Sequence, residues 1–143
     1  ETRAGASSGN LFGYTALEAA YRHGGEYLDQ LKAYLDGNLE YFGARIAAEM
    51  PELTLIKPEG TYLAWVDMRG IGLDTLALSG FVRNEARLAL DDGYAFGAGG
   101  EGFMRFNLAC PRNQVKEGLD RLSKALRSRR ACAGGASAGR GRR

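Results

Sequence analysis

One short stretch of this sequence combines an arginine and an amide with the alternating pattern of a β-strand. It runs from Gly102 to Arg112, and its apolar residues alternate with Arg105 and Asn107. This period of two predicts a strand with Arg105 and Asn107 on one face and apolar side chains on the other. Burying an arginine is costly unless it meets an anion. The Arg105 face is therefore either open to solvent or occupied by a carboxylate or phosphate.

The guanidinium of Arg105 can bind a carboxylate through two parallel hydrogen bonds, which fixes orientation as well as affinity. That carboxylate could belong to an acid within the fold or to a ligand, and residue chemistry alone favours neither. The neighbouring acids Asp91 and Asp92 form a poor acid–base pair, because adjacent residues in an extended segment point in opposite directions. We interpret Asp91, Asp92 and Gly93 as a turn.

The other residues with reactive side chains give weaker signals. His23, the single histidine, lies at a predicted helix end beside two glycines, where a capping or surface role is more common than catalysis. Cys110 and Cys132 form neither a disulfide framework nor a metal-site spacing, which favours two free thiols in a reducing compartment. The glycine-rich run 97–102 precedes a strand, whereas a phosphate-binding loop follows a strand and opens a helix. We interpret this run as a flexible hairpin whose backbone can approach a neighbour closely, and the sequence predicts no metal site.

The net charge of +2 conceals a contrast between the body of the chain and its C-terminus. Residues 127–143 contain six arginines and no acid, so residues 1–126 carry a net charge of −4. The tail consists mainly of Arg, Gly and Ala, cannot bury apolar area and is predicted to be disordered. It could bind nucleic acid through phosphates, but it has no aromatic residue to stack on bases. An extension without a binding role is the better interpretation.

The N-terminus and the hydropathy pattern bear on location. Residues 1–9 are small and polar, which predicts a flexible lead-in and lacks the apolar core of a signal peptide. No apolar run approaches the ~20 residues of a membrane span. Together with the free thiols, these features lead us to expect a cytoplasmic protein. The chain also lacks an initiator methionine, from which we expect a fragment or a processed chain.

The rest of the sequence predicts the elements that must hold the Arg105 strand. Apolar periodicity predicts helices at about 10–22, 26–50 and 73–88, and a last helix capped by Asn113. Strands are predicted at 53–56, 61–68 and 88–90, and 61–68 is the best central-strand candidate because it is β-branched, aromatic and apolar. A small sheet covered by helices buries these faces economically, so we expect an α+β sandwich formed by residues 10–126.

The helix at 26–50 is longer than such a small sheet requires, since ~25 helical residues span a considerable distance. Its apolar residues are spaced three or four apart and predict one continuous buried stripe, formed by Leu28, Leu31, Leu35, Leu39, Phe42 and Ile46. Tyr27, Tyr34 and Tyr41 recur every seven residues beside it, and we interpret them as flanking the core rather than as a partner surface. Part of the helix is expected to face another domain or subunit.

Several segments resemble a known enzyme family. They are residues 60–65, residues 90–97 and, most specifically, the Arg-Phe-Asn-Leu-Ala-Cys-Pro-Arg run at 105–112. These segments resemble the C-terminal part of fold-type I pyridoxal 5'-phosphate (PLP) enzymes of aminotransferase class I/II, and are most similar to the cystathionine β-lyases and their bacterial C–S lyase relatives. Residues 10–38 resemble the segment just after that family's cofactor lysine. The resemblance extends over residues 10–126.

The resemblance implies a fold and a set of roles. The fold is the family's small domain, with a mixed, mostly antiparallel sheet packed against helices. Arg105 would hold the α-carboxylate of an amino-acid substrate, with supporting roles for Asn107 and Arg112. Tyr62 would lie near the substrate entrance, although a core strand aromatic is the plainer interpretation. The parent enzyme would be a homodimer that catalyses β-elimination on a sulfur amino acid such as cystathionine, or a transamination.

The sequence also departs from the family. The family's cofactor lysine lies in a Ser-x-x-Lys motif upstream of the segment matching Asn10, and this sequence has no such motif among its four lysines, Lys32, Lys57, Lys116 and Lys124. The residues that bind the cofactor's ring and phosphate belong to the family's large domain. We therefore expect this chain alone to be inactive and to need a large domain or companion chain. A non-enzymatic ligand- or nucleic-acid-binding module that uses the basic tail, and a marginally folded fragment, are the alternatives.

Overall fold

The computed structural model describes residues 9–138, and the sequence-based expectations for residues 1–8 and 139–143 lie outside the described residues. The chain divides into two compact units with their boundary between Tyr34 and Leu35. The order of elements is two helices, two strands, a helix, two strands and a helix, as the sequence predicts. Within the described range, no helix combines the length and apolar character that a membrane crossing requires.

The first unit contains α1 (Leu11–His23) and the start of α2 (Gly25–Glu49). Asn10 caps α1 by accepting a 2.7 Å hydrogen bond from the Gly13 amide, and Gly24 forms the expected C-cap. No residue of α1 is buried. In the first turns of α2, Leu28 and Leu31 are exposed, so the prediction of a buried stripe along the whole helix is wrong there. Tyr27 is also exposed, which contradicts its assignment to the flank of the core.

The second unit holds the core, and the C-terminal half of α2 contributes to it. Phe42 and Ile46 are buried there, as the stripe predicts, and Tyr41 packs against the core as expected. The helix ends just before Pro51, whose missing N–H and fixed φ do not suit a helix interior. The ring of Phe42 lies 5.0 Å from that of Phe106, which joins the helix to the sheet.

The sheet has four strands in the order β1-β2-β4-β3, and every described pairing is antiparallel. The strands are β1 (Thr54–Ile56), β2 (Leu63–Asp67), β3 (Asp91–Asp92) and β4 (Phe103–Asn107). The expected central position of β2 is confirmed. The predicted strand at 88–90 and the turn at residues 91–93 are wrong, because Asp91 and Asp92 themselves pair with β4.

The two faces of the sheet differ. Ala64, Val66, Met104 and Phe106 are buried on one face, here called the inner face, and belong to one core cluster with residues of the helices. The opposite, outer face carries the alternate residues of β2, β3 and β4, which are half-buried or exposed. This is the alternation that the sequence predicts for the strand around Arg105.

The connection between β2 and β3 contains α3 (Thr75–Gly80), which continues into a π-helical turn at Phe81–Glu85. Asp74 caps α3 by accepting a hydrogen bond from the Ala77 amide. The helix is thus shorter than the predicted 73–88. Phe81 and Val82 are buried, whereas Leu76 is 78% exposed although apolar periodicity would place it inward with them.

The last helix, α4 (Arg112–Ala138), begins within the predicted motif, so Asn113 lies inside the helix rather than capping it. Its apolar residues spaced three or four apart are all buried, as helical periodicity predicts, namely Val115, Leu119, Leu122 and Leu126. The prediction that disorder begins at residue 127 is wrong, because the helix continues to Ala138. Arg130 of that segment donates a 2.7 Å hydrogen bond from Nε to Glu52, and this contact lowers the Glu52 pKa.

Candidate functional site

The register of the sheet positions Arg105 on the outer face. In β4, Arg105 lies directly opposite Trp65 of β2 on one side and Asp91 of β3 on the other. Residues directly opposite each other in antiparallel strands share a face of the sheet. Arg105, Trp65 and Asp91, which come from three separate parts of the chain, therefore share the outer face of the sheet.

Arg105 forms an ion pair with Asp91. Both Nε and Nη2 donate to the same oxygen, Oδ2, at 3.1 and 2.8 Å. The side chains are 30% and 57% exposed respectively, so the pair faces solvent. Of the two partners that the sequence leaves open for Arg105, the structure thus contains the acid within the fold. The sharing of one oxygen differs from the two-oxygen fork in which an arginine binds a carboxylate most strongly.

Aromatic rings support the guanidinium. The Cζ atom of Arg105 lies 4.4 Å from the centre of the Phe96 ring, within the range of a cation–π contact. Phe96 meets Trp65 edge-on at 5.6 Å, and Trp65 stacks on Phe103 at 5.8 Å. The guanidinium therefore lies over Phe96, the first in a row of three rings that contact one another.

The glycine-rich loop brings Phe96 to this place. Residues Gly93–Phe96 form a 3-10 turn, and a Cβ atom on Gly93 would lie only 2.2 Å from the carbonyl oxygen of Gly100. Gly97 has a φ of 120°, which residues with a side chain rarely adopt. The close approach expected of this loop therefore occurs between two parts of the loop itself, which folds back so that Phe96 covers Arg105.

The second aspartate of β3 points the other way. Asp92 is buried and lies opposite Met104 on the inner face. Its Oδ1 accepts a hydrogen bond from Ser79 of α3, and its Oδ2 accepts one from Nη2 of Arg83 at 2.7 Å. Sequence reasoning missed this role, although it correctly expected Asp91 and Asp92 to point in opposite directions.

A second arginine lies on the outer face. Arg69 follows β2 and donates to both carboxylate oxygens of Asp67, with Nη2 at 2.6 Å from Oδ2. This hydrogen-bonded contact lowers the pKa of Asp67 and raises that of Arg69. The Cζ atom of Arg69 lies 4.9 Å from the Phe103 ring centre. Its carboxylate partner engages it more fully than Asp91 engages Arg105.

The three other residues that the resemblance assigns to the site, Asn107, Arg112 and Tyr62, make contacts elsewhere. Asn107 is exposed, and its Oδ1 accepts a 2.8 Å hydrogen bond from the Ala109 amide, which shapes the turn after β4. Arg112 donates from Nε to Asn38 at 2.6 Å and lies over the Tyr41 ring. Tyr62 is 44% exposed, so its interpretation as a core aromatic is wrong. Its backbone carbonyl accepts a hydrogen bond from Leu108, which ties the start of β2 to the end of β4.

Asn38 is a structural residue that the sequence reasoning missed. It is fully buried in α2 and donates to the carbonyls of Leu108 and Cys110 at 2.9 and 3.0 Å. The same side chain accepts the bond from Arg112. A polar residue on the apolar stripe of a helix was the available signal, because such a residue needs buried partners.

The lysines of the chain do not fit a covalent PLP site. A Schiff-base lysine needs a neutral amine, which burial or a neighbouring cation promotes. All four lysines are exposed, and the hydrogen bond from Lys116 to Asp120 raises the pKa of that ammonium.

Burial raises the pKa of the half-buried Cys110, which disfavours its thiolate. In residues 9–138, no three His, Cys, Asp or Glu side chains cluster closely enough to hold a metal ion.

Comparisons with known proteins show which class of protein this chain resembles. No protein-family model matches the chain. It superposes on cystalysin from Treponema denticola, a structure that contains a pyridoxal 5'-phosphate cofactor, with a TM-score of 0.80 and 38% identity over 83% of this chain and 30% of that one. The chain therefore matches the C-terminal portion of fold-type I PLP-dependent enzymes, and its α+β fold matches the small domain of that class.

The curated relatives show which group of enzymes within this class the chain matches. The chain is 39% identical to protein MalY of Escherichia coli over 126 residues, which cover 88% of this chain and 32% of that protein. It is 38% identical to the cystathionine β-lyase PatB of Bacillus subtilis over 82% of this chain and 30% of that enzyme. Within its class, it thus matches the MalY/PatB cystathionine β-lyases. It spans about a third of the length of these relatives.

Proposed function

We propose that this chain is the small-domain portion of a PLP-dependent C–S β-lyase acting on a sulfur amino acid such as cystathionine, and that Arg105 binds the substrate's α-carboxylate. The observation that carries the proposal is the half-exposed Arg105 guanidinium, already in contact with a carboxylate. The names of PatB and its relatives favour the lyase over the transaminase of the same class.

Arg105 suits this role better than the other two arginines near the site. Arg69 makes a two-oxygen contact with Asp67, and Arg112 is bound to the buried Asn38. Arg105 contacts a single carboxylate oxygen, and among the residues that the structure describes its Nη1 atom makes no hydrogen bond. A carboxylate arriving from the solvent side can therefore approach it without breaking a buried contact.

The orientation of the guanidinium is what this domain would contribute to the reaction. A carboxylate bound through two parallel hydrogen bonds has a fixed plane, which orients the rest of the amino acid. Phe96 restrains the guanidinium from one side. PLP would supply the electron sink for β-elimination. A large domain or companion chain would supply the cofactor lysine, and the resemblance further implies a homodimeric parent enzyme in the cytoplasm.

The carboxylate-binding role can be tested on the chain itself. The ¹H–¹⁵N signals of arginine Nε–H groups are followed during titration with sodium acetate, with sodium chloride keeping the ionic strength constant. We expect the Arg105 signal to shift and saturate, while the Arg112 signal stays constant because its Nε is bound to Asn38. Equal, unsaturated shifts of both signals would remove Arg105 as a specific carboxylate site.

The absence of independent turnover is tested separately. The chain is mixed with PLP, reduced with borohydride and digested, and pyruvate release from cystathionine is assayed in parallel. We expect neither a stoichiometric lysine adduct nor pyruvate, because the four exposed lysines do not suit the cofactor. A stoichiometric adduct at one lysine together with pyruvate would contradict this part of the proposal.

A further inference from the structure

β3 consists of two residues, and both are acids. Asp91 and Asp92 pair with Arg105 and Met104 of β4, so one carboxylate lies on each face of the sheet. A strand of two residues at a sheet edge has little hydrogen bonding of its own to fix its place. The position of Asp91 beside Arg105 therefore depends on contacts elsewhere in β3 and its neighbours.

Asp92 supplies the anchor. It is buried on the inner face, where Ser79 and Arg83 donate hydrogen bonds to its two oxygens. The next residue, Gly93, packs directly against the backbone of Gly100 and Phe103. The two residues that follow Asp91 are thereby fixed to the core and to the loop, which holds the Asp91 carboxylate next to Arg105 although the side chain itself is exposed.

The contact between Asp91 and Arg105 is one in which another carboxylate can replace Asp91. Asp91 uses one oxygen to bind two donors of Arg105, and the pair faces solvent. Solvent-exposed ion pairs contribute little stability, since water solvates the separated charges well. A carboxylate that binds with two oxygens gains the stronger fork geometry, so it can replace Asp91 at small cost.

From this arrangement we propose that Asp91 is a built-in competitor for the carboxylate site. It occupies Arg105 in the absence of substrate, keeps the guanidinium against Phe96, and lowers the affinity for an incoming carboxylate until it is displaced. Asp91 is thus a specificity-determining residue that sets the affinity of Arg105 for a carboxylate ligand. The inference rests on the proposed function of Arg105.

The test compares acetate binding by the 143-residue wild-type chain and by Asp91→Asn, with the Arg105 Nε–H signal as the readout. Removing the competing charge is expected to lower the dissociation constant for acetate about 1.5- to 5-fold, the range that corresponds to an exposed ion pair. Asp91→Ser repeats the comparison with a smaller neutral side chain, in case asparagine disturbs the pairing of β3.

Asp67→Asn is the matched control. It removes the same charge from the same face of the sheet, but its partner is Arg69 rather than Arg105. We expect acetate binding at Arg105 to match the wild type in this variant. Equal tightening in Asp67→Asn and Asp91→Asn would reduce the effect to overall charge and overturn the competitor role.

The remaining outcomes separate the two proposals. Saturable binding that is equal or weaker in both Asp91 variants overturns the competitor role and leaves Arg105 as the carboxylate site. Absence of saturable binding in the wild type and in every variant overturns the proposed function of Arg105, and the competitor role with it.

Discussion

The two aspartates of β3 carry the same carboxylate group, but the two carboxylates lie on opposite faces of one sheet and behave differently. Asp92 is buried on the inner face between Ser79 and Arg83, whereas Asp91 is exposed on the outer face beside Arg105. A buried carboxylate without partners is expensive, so Asp92 is committed to structure. An exposed carboxylate pairs weakly and can exchange, so Asp91 is available for function.

The same contrast extends along β4. Met104 and Phe106 are buried on the inner face, while Phe103 and Arg105 are half-buried on the outer face. The inner face stabilises the fold through apolar burial, and the outer face keeps a cation accessible among aromatic rings. The role of a residue in this domain therefore depends on which face of the sheet it occupies, and not on its type alone.

Deleting apolar atoms from each face gives the largest expected difference. Met104→Ala leaves a cavity in the core and should lower the free energy of unfolding by about 2–5 kcal/mol. Ile56→Ala removes the same number of heavy atoms from a 46% exposed position opposite Trp65, and should cost about 1 kcal/mol or less. Urea unfolding measures both, and equal losses would show that the faces do not differ in burial.

The two asparagines near the end of β4 extend the comparison. Asn38→Ala leaves the carbonyls of Leu108 and Cys110 without their buried donor and should cost about 2–3 kcal/mol. Asn107→Ala removes an exposed bond to the Ala109 amide and should cost about 0.5 kcal/mol. The same unfolding measurement applies, and a larger loss in Asn107→Ala would reverse the assignment of the structural residue.

Neutralising each aspartate of β3 isolates the carboxylates themselves. Asp92→Ala removes a buried acceptor that both Ser79 and Arg83 use, and should lower the free energy of unfolding by about 1–3 kcal/mol. Asp91→Ala should lower it by less than about 1 kcal/mol, as is usual for an exposed pair. Comparable losses at the two positions would mean that Asp91 is structural and is not free to exchange.

The smallest expected effect is the pH dependence that Asp67 confers on the outer face. Arg69 holds the Asp67 pKa below its ordinary value, so the contribution to stability is complete above the unfolded-state pKa and disappears as the pH falls through the folded-state pKa. Between about pH 5 and pH 2, the wild type should therefore lose more stability than Asp67→Asn. Parallel pH profiles for the two chains would show that the Arg69 contact adds nothing to folding.

Much of the fold was predictable because its signals are local. The strand around Arg105, the central position of β2 and the inward residues of α4 follow from periodicities of two and of 3.6 residues. The exposed Leu28 and Leu76 were not predictable in this way, since periodicity identifies an apolar face without saying what covers it. The helix through residues 127–138 was missed because composition alone suggested disorder, whereas Arg130 reaches across to Glu52.

The candidate site, like the fold, was predictable only where the signal is local in the sequence. The sequence singled out Arg105 as a cation on a strand that needs an anion, and the order of residues in 105–112 pointed to the enzyme family. It could not choose between an internal acid and a ligand, because that choice depends on which residue lies opposite Arg105 on the neighbouring strand. Arg112 was grouped with Arg105 by proximity in sequence, yet it binds Asn38 from a different element.

By itself, the sequence determined which faces are apolar, where the helices and the main strands lie, and which arginine alternates with apolar residues. Only the tertiary structure decided what each charged group meets. Strand order and register bring together residues distant along the chain, and Asp91 lies 14 positions from the Arg105 that it binds. The energy of a charge depends on its burial and its nearest counter-charge, and both arise only when β3 pairs with β4.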